Sequence, residues 1–240
     1  SKLFLFSIYV NYHIKIYIYM NIAQIYNKKR ILITGHTGFK GVWLTKILEK
    51  YKCKLFGISL KNNQNDKLFK KIKKHLKIKS YFFDIKNENR LRKTIENINP
   101  DYIFHFAAQS LVIKSFKRKE LTFDSNIVGS LSLIKSIKNL KQLKKIFFIT
   151  TDKVYLNQNK KKFLESDYLG GEDPYSLSKV IADFIFQYYD HYLKKKKIKC
   201  FIIRSGNIFG GGDFGQYRLI NDYFSKQQLK IRNKNSTRPF

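Results

Sequence analysis

The segment Ile31-Leu-Ile-Thr-Gly-His-Thr-Gly-Phe-Lys-Gly41 constrains this chain more than any other. An apolar run ends in three glycines spaced three apart, Gly35, Gly38 and Gly41. Apolar residues at helical spacing follow: Val42, Leu44, Ile47, Leu48 and Tyr51. That order reads as a strand, a tight turn and the start of a helix. Gly35 permits the turn, Gly38 lets the backbone approach a ligand's phosphates, and Gly41 lets the helix pack close to the sheet. The helix start adds N–H groups without acceptors and the positive end of a dipole, both suited to a dinucleotide pyrophosphate. A glycine-rich turn with no ligand carries the same spacing, so later segments decide between the two.

Those segments repeat the alternation. Strands are expected at Lys54–Leu60, Ser80–Phe83, Asp101–Phe106, Lys145–Ile149 and Cys200–Ile203. Between them helices are expected at Asn89–Ile98, stopped by Asn99-Pro100, at roughly 110–118 and 122–139, and from Pro174 to about Lys194. Residues 61–78 read as a loop with a short helix. Strand alternating with helix argues for a parallel sheet covered on both faces, a Rossmann-type doubly wound α/β fold. In such sheets ligands bind beyond the carboxyl ends of the strands. Polar residues gather at those ends: Gly35, Ser59, Asp84, Ala108-Gln109, Thr151-Asp152-Lys153 and Arg204. One continuous rim is therefore expected.

Composition excludes more than it selects. The 240 residues suffice for one domain with a full core and part of a second, and no apolar run is long enough to span a bilayer. The net charge of +31 would suit nucleic acid or acidic lipid if it formed a stripe. The lysines are instead scattered through almost every segment, and Ile, Asn, Tyr, Phe and Lys abound while Pro is rare, the skew AT-rich coding produces. Neither a nucleic-acid nor a membrane partner is expected. Cys53 and Cys200 form no metal-binding spacing and read as small buried hydrophobes, which fits a cytoplasmic setting.

Asp173-Pro174-Tyr175-Ser-Leu-Ser-Lys179 is the second signal. Asp173 suits a helix N-cap and Pro174 the first helical position. Tyr175 and Lys179 then lie one turn apart on the same face. A tyrosine serves as a base only if its pKa falls, and a neighbouring ammonium lowers it by favouring phenolate. Such a pair can remove a hydroxyl proton as hydride leaves the same carbon. An exposed aromatic beside a solvated lysine would read identically, and the spacing is weak in a chain this rich in both. It gains weight from following a glycine turn and a strand-end Thr-Asp.

Together, Thr-Gly-x-x-Gly-x-x-Gly and Tyr-x-x-x-Lys resemble the extended short-chain dehydrogenase/reductase superfamily. More narrowly, Gly35–Gly41, Thr151-Asp152-Lys153, Leu169–Tyr175, Gly206–Asp213 and Thr237-Arg238-Pro239 resemble the CDP-glucose 4,6-dehydratase family, a likeness covering about residues 28 to 240. The resemblance implies NAD as cofactor and a nucleotide sugar as substrate. It implies that Tyr175 takes the C4 hydroxyl proton while hydride leaves C4. Lys179 would tune Tyr175 and hold the nicotinamide ribose, and Thr151 would hydrogen-bond the C4 oxygen. Asp152 would protonate the departing C6 hydroxyl, Lys153 would remove the C5 proton, and hydride would return to C6. Gly35, Thr37, Gly38, Phe39 and Gly41 would cradle the cofactor, with Ser59 at the second strand end. Asp84 and Ile85 would meet its adenine, and Ala107, Ala108 and Gln109 would line its path. Asn126 would support the wall, while Arg204, Asn207, Arg218 and Arg238 would meet the sugar nucleotide. A homodimer is the expected assembly of the full-length protein.

Two features stand apart. Related deoxythymidine-diphosphate-glucose dehydratases carry Glu where this chain has Lys153; a lysine must first lose its proton, so its pKa would have to fall. In a chain this basic, Lys153 also reads as one lysine among many. The second strand end carries Ser59 and Lys61 in place of the acidic residue that dinucleotide folds use for the adenosine ribose, which leaves NAD against NADP open on the residues alone. Other nucleotide-sugar dehydratases, epimerases, and a non-catalytic NAD(P)-binding protein with an RNA or protein partner share much of this pattern.

The expected organisation is an extension at 1–27, a dinucleotide-binding unit at 28–205 with the catalytic residues, and the start of a substrate-binding region at 206–240. The chain opens on Ser, and its only methionine is Met20, so residues 1–19 read either as sequence upstream of a start at Met20 or as an added edge strand. Arg238-Pro239-Phe240 closes without a terminating pattern, and the chain reads as a fragment.

Overall fold

The computed structural model describes residues 22–61, 66–156, 162–215 and 222–223. Six strands form one sheet: β1 (Arg30–Thr34), β2 (Lys54–Ser59), β3 (Ile78–Phe82), β4 (Tyr102–His105), β5 (Lys145–Thr151) and β6 (Lys199–Ser205). Their order is β3-β2-β1-β4-β5-β6, and every neighbouring pair is parallel. Parallel neighbours need crossovers, which the helices supply. These are α2 (Phe39–Leu48), α3 (Lys67–Ile72), α4 (Glu88–Ile98), α5 (Val112–Lys117), α6 (Lys119–Phe123), α7 (Gly129–Ile137) and α8 (Pro174–Lys195), while α1, described at residues 22–26, precedes β1.

Strand alternation divides the core between the two faces. Leu32, Ile103, Ile146 and Phe148 point to one face, where they pack with Leu91 and Ile95 of α4, Leu133 and Ile137 of α7, and Phe186 of α8. Ile31, Ile33, Leu55 and Phe104 point to the other, against Leu48 of α2 and the partly buried Ala23 and Tyr26 of α1. Both faces of β1 are covered, so Ile31 to Thr34 are each fully buried. The doubly wound architecture is the one the alternation of segments predicts.

The chain leaves β1 toward β2 on one side and returns to β4 on the other. Loops after β1 and β4 therefore diverge and leave a crevice at the carboxyl end of the sheet. Local chemistry fixes the helices around it. Asp173 caps α8 by accepting from Ser176 N at 3.0 Å, and Pro174 takes the first helical turn. Asn87 caps α4 through Arg90 N, and Asn99 ends it with a left-handed φ of 44°.

The structure extends three strands beyond the sequence reading. β3 starts at Ile78, paired with Leu55, although the pattern places its start at Ser80. β5 and β6 continue through the pairs Thr150↔Arg204 and Thr151↔Ser205. The apolar run ends earlier in each strand, but ladder hydrogen bonds need only the backbone. The single helix expected at 122–139 is likewise divided: a π-helical turn at Asp124–Val128 separates α6 from α7.

Candidate active site

A cleft of about 620 Å³ opens over the crevice. Its floor is the glycine turn after β1. Gly35 has φ +74°, donates its N–H to Ile58 O at 2.7 Å, and lies so near the next loop that a Cβ there would sit 2.8 Å from Ala107 N. A Cβ at Gly41 would fall onto the Gly35 carbonyl and the His36 backbone. Gly38 is the N-cap of α2, with no side-chain cap and no acidic residue in the first turn. The helix therefore turns its N–H groups and positive dipole end to the cleft without an internal anion.

The other walls come from successive strand ends. Gly35, Gly38, Phe39, Gly41 and Ser59 line the cleft, as do Asp84 and Ile85 after β3, and Ala107, Ala108 and Gln109 after β4. Tyr175 and Lys179 from the first turns of α8 complete it. Twelve of the thirteen residues expected to meet the cofactor thus share one cavity. The thirteenth, Thr37, is buried behind the turn, its N–H 3.3 Å from Ser59 Oγ. Part of the region expected to begin a substrate domain, Gly212 to Gly215, also lines the cleft.

Lys179 is 4% exposed. Its ammonium donates to Ile149 O at 2.9 Å and lies 4.6 Å from the centre of the Phe148 ring. Burial first, and then the charge of Lys40, lower its pKa to about 7, against an opposing pull from Asp183. Between about 7 and the ordinary 10.5 the native state binds fewer protons at Lys179 than the unfolded chain does. Its contribution therefore makes the fold more stable as pH rises through that window and is lost as pH falls toward 7. Lys179→Met is expected to flatten this rise, measured as the urea midpoint at successive pH values; an unaltered slope would show that Lys179 does not titrate there.

Thr151, Asp152 and Lys153 follow the cleft-lining Ile149 and Thr150. They form the strand end and a 3-10 turn, with Thr151 Oγ1 donating to Asp152 Oδ1 at 3.0 Å and accepting from Lys153 N at 3.3 Å. Thr150 Oγ1 is buried in the cleft wall with no hydrogen-bond partner among the described residues.

The residues expected to meet substrate are dispersed. Asn126 is buried in the π-turn, where Oδ1 accepts from Gln109 N at 2.8 Å and Nδ2 donates to Gln109 O and Ser178 Oγ. It clamps the loop after β4. Arg204 does not line the cleft. Its guanidinium is engaged by Asp183 through Nε and Nη2, by Tyr155 Oη and by the Glu165 carbonyl. The planar fork that suits a diphosphate is thus already filled by a carboxylate. Asn207 is exposed, and Arg218 and Arg238 lie outside the described residues.

The structure adds polar groups that spacing does not reveal. His105 Nδ1 is 2.7 Å from Thr34 Oγ1, and its Nε2 is 3.3 Å from Ser130 Oγ. Burial and the Lys179 charge lower its pKa to about 3, so it stays neutral. His36 is similarly buried beneath the glycine turn. In sequence His105 is a lone histidine closing an apolar run and His36 a lone histidine within the glycine turn, and neither has a partner at helical or strand spacing to mark it.

Comparison with known proteins follows the same outline. A family model described as GDP-mannose 4,6 dehydratase matches residues 32–220. The chain is 33% identical over 223 residues to CDP-glucose 4,6-dehydratase of Salmonella typhimurium, covering 88% of this chain and 62% of that protein. It is 30% identical over 187 residues to UDP-glucose 4-epimerase of Mycoplasma genitalium, covering 76% of this chain and 54% of that one. Among solved structures, a dTDP-glucose 4,6-dehydratase from Streptomyces venezuelae with NAD bound superposes with TM-score 0.72 at 21% identity, covering 82% of this chain and 62% of that one. The chain thus spans less than two thirds of each.

Proposed function

The chain belongs to the GDP-mannose 4,6-dehydratase family, and from that premise we propose that it is an NAD-dependent nucleotide-sugar 4,6-dehydratase acting on CDP-glucose. The observation that carries this reading is the meeting of the glycine turn, four strand ends and the Tyr175–Lys179 face around one cleft. The residues fit a dinucleotide. The uncapped start of α2 suits the pyrophosphate, Ser59 lies where an adenosine ribose is held, and the orphan hydroxyl of Thr150 offers a polar contact in the wall.

Bound NAD would supply a reversible hydride acceptor for the sugar. The chain's own residues do the rest. Tyr175 accepts the C4 hydroxyl proton, and the Lys179 charge in the same wall favours the phenolate that does so. Thr151 holds the C4 oxygen. The resulting C4 ketone acidifies the C5 hydrogen; Lys153 removes it, and Asp152 protonates the leaving C6 hydroxyl. Return of the hydride to C6 and of a proton to C5 would then give the proposed product, a 4-keto-6-deoxy sugar nucleotide. The Asp152-Lys153 pair favours elimination over epimerisation. CDP-glucose as substrate is supported by the Salmonella relative and by Lys153.

Residues 28–205 are proposed as the cofactor-binding unit, with the substrate region starting at 206. A homodimer is supported by an apolar stripe on α8, where Leu177, Phe184 and Tyr188 are 40%, 50% and 79% exposed at spacings that share one helix face. No helix of the described residues is long and apolar enough to cross a membrane; a cytoplasmic site of action is proposed.

The test is incubation with CDP-glucose, deoxythymidine-diphosphate-glucose and UDP-glucose, each with and without added NAD, followed by mass spectrometry for loss of one water. Loss from CDP-glucose alone is the expected result. Loss only from another sugar nucleotide would keep the chemistry and overturn the substrate. Interconversion of sugars without water loss would replace dehydration by epimerisation.

A further inference from the structure

His36, the second residue of the glycine turn, is 1% exposed, and its ring lies against Gly57 of β2, where a Cβ would enter the imidazole. Phe69 meets the ring edge-on, with centroids 5.4 Å apart, and Phe82 lies at 5.8 Å. Both ring nitrogens are spent on serines. Nδ1 is 3.0 Å from Ser59 Oγ, and Nε2 is 2.9 Å from Ser80 Oγ. Burial lowers the histidine pKa to about 4, so the ring is neutral and offers one donor and one acceptor. Whichever nitrogen holds the proton, the Ser59 hydroxyl is held from behind by the ring, and it also accepts the Thr37 N–H at 3.3 Å.

Ser59 is the last residue of β2 and lines the cleft. In dinucleotide folds of this topology the corresponding strand end carries an acidic side chain on the adenosine ribose. A carboxylate reaches the ribose unaided and brings two acceptor oxygens. A serine is shorter and its hydroxyl rotates, so it needs an external partner to fix its direction. The imidazole occupies the place a Cβ at position 57 would take, so Gly57 gives the ring its room.

We infer that His36 is a positioning residue for the cofactor: through Ser59 it orders the group that holds the 2′-hydroxyl of the adenosine ribose. The inference rests on the NAD reading above. His36 acts only at second hand, so its effect exists only while the 2′-hydroxyl is there to be held.

That dependence is the test. NAD and its analogue lacking the 2′-hydroxyl of the adenosine ribose are titrated calorimetrically against the chain, its H36F variant and its S59A variant. The phenylalanine keeps a ring against Gly57, Phe69 and Phe82 and removes both serine contacts. The unaltered chain is expected to prefer NAD by about 5–10-fold, the worth of one hydrogen bond. In H36F most of that preference should vanish, while the analogue binds within about twofold of its original affinity. Equal weakening of both ligands would reduce His36 to a packing role and overturn the inference. Should H36F fail to fold, S59A decides: it must erase the same preference, and a preference that survives S59A overturns the inference. Equal binding of the two ligands by the unaltered chain does so as well. Absence of binding by either ligand would instead overturn the NAD reading itself, a result distinct from every other.

Discussion

Asp183→Ala is expected to lower folding stability by about 3–5 kcal/mol, the usual effect of removing one partner from a buried ion pair. The Asp183 side chain is fully buried in α8, and its oxygens accept from Arg204 Nε at 2.9 Å and Nη2 at 3.1 Å, with Gln187 Nε2 adding a third bond at 2.6 Å. The Arg204 side chain is only 13% exposed. Alanine would leave its guanidinium half-desolvated, with the Tyr155 hydroxyl and the Glu165 carbonyl as its remaining partners. The pair also ties three segments together: the end of β6, the middle of α8 and the loop after the Asp152–Val154 turn. Its loss should therefore loosen the chain around Thr151 as well as weaken the fold. Chemical denaturation measures the loss directly, and the melting temperature should drop by about 6–20 °C for a domain of this size. Replacing both partners with apolar residues of similar volume, Asp183→Leu with Arg204→Met, should recover most of the deficit, because no charge is stranded. A loss below about 1 kcal/mol for Asp183→Ala would mean that water reaches Arg204 freely.

Tyr175→Phe is expected to reduce water elimination by about 10²–10⁴-fold, the range for loss of a positioned general base. The substitution removes one oxygen from a side chain at the edge of the cleft. The Asp173 cap, the Pro174 start and the Lys179 bond to Ile149 O all belong to other residues, so α8 should keep its place. Dinucleotide affinity should therefore change by less than about threefold, and the melting temperature hardly at all. That split between turnover and binding is the diagnostic reading. A variant retaining more than a tenth of the activity would remove Tyr175 from the base role and redirect attention to Lys153.

The parts of the fold that follow from local chemistry are legible in the residues. The glycine turn, the Asp173 cap and the Asn99 stop each act over three or four residues, and a spacing records them completely. The cleft is legible at one remove, because parallel strands all end on the same side and Gly35, Ser59, Asp84, Ala108 and Gln109 meet there, although Thr151, Asp152, Lys153 and Arg204 lie beyond its lining. What stays hidden joins residues far apart in sequence. Nothing near Asp183 announces Arg204, 21 residues later. Arg204 read alone suits a phosphate, and only the register of β6 beside β5, with α8 packed upon them, turns it toward a carboxylate instead. His36 is hidden in the same way: Ser80 stands 44 residues away, and only the β2–β3 pairing brings it within reach. Strand ends are hidden for a different reason, since Thr150, Thr151, Arg204 and Ser205 pair through backbone groups that composition does not reveal.

The π-turn at Asp124–Val128 carries one consequence for how this chain can change over time. A π-turn holds one residue more than an α-helical turn, so it absorbs that residue locally and leaves the helices on either side in phase. Leu121 faces the cleft on one side of it, while Leu133 and Ile137 fill the core on the other. Deleting one residue within the turn should therefore return a plain α-helix with both faces still in place. The loss would fall on the bulge itself, where Asn126 clamps Gln109. Length can vary here by one residue without reaching the core, and the loop beside the cleft would register the change.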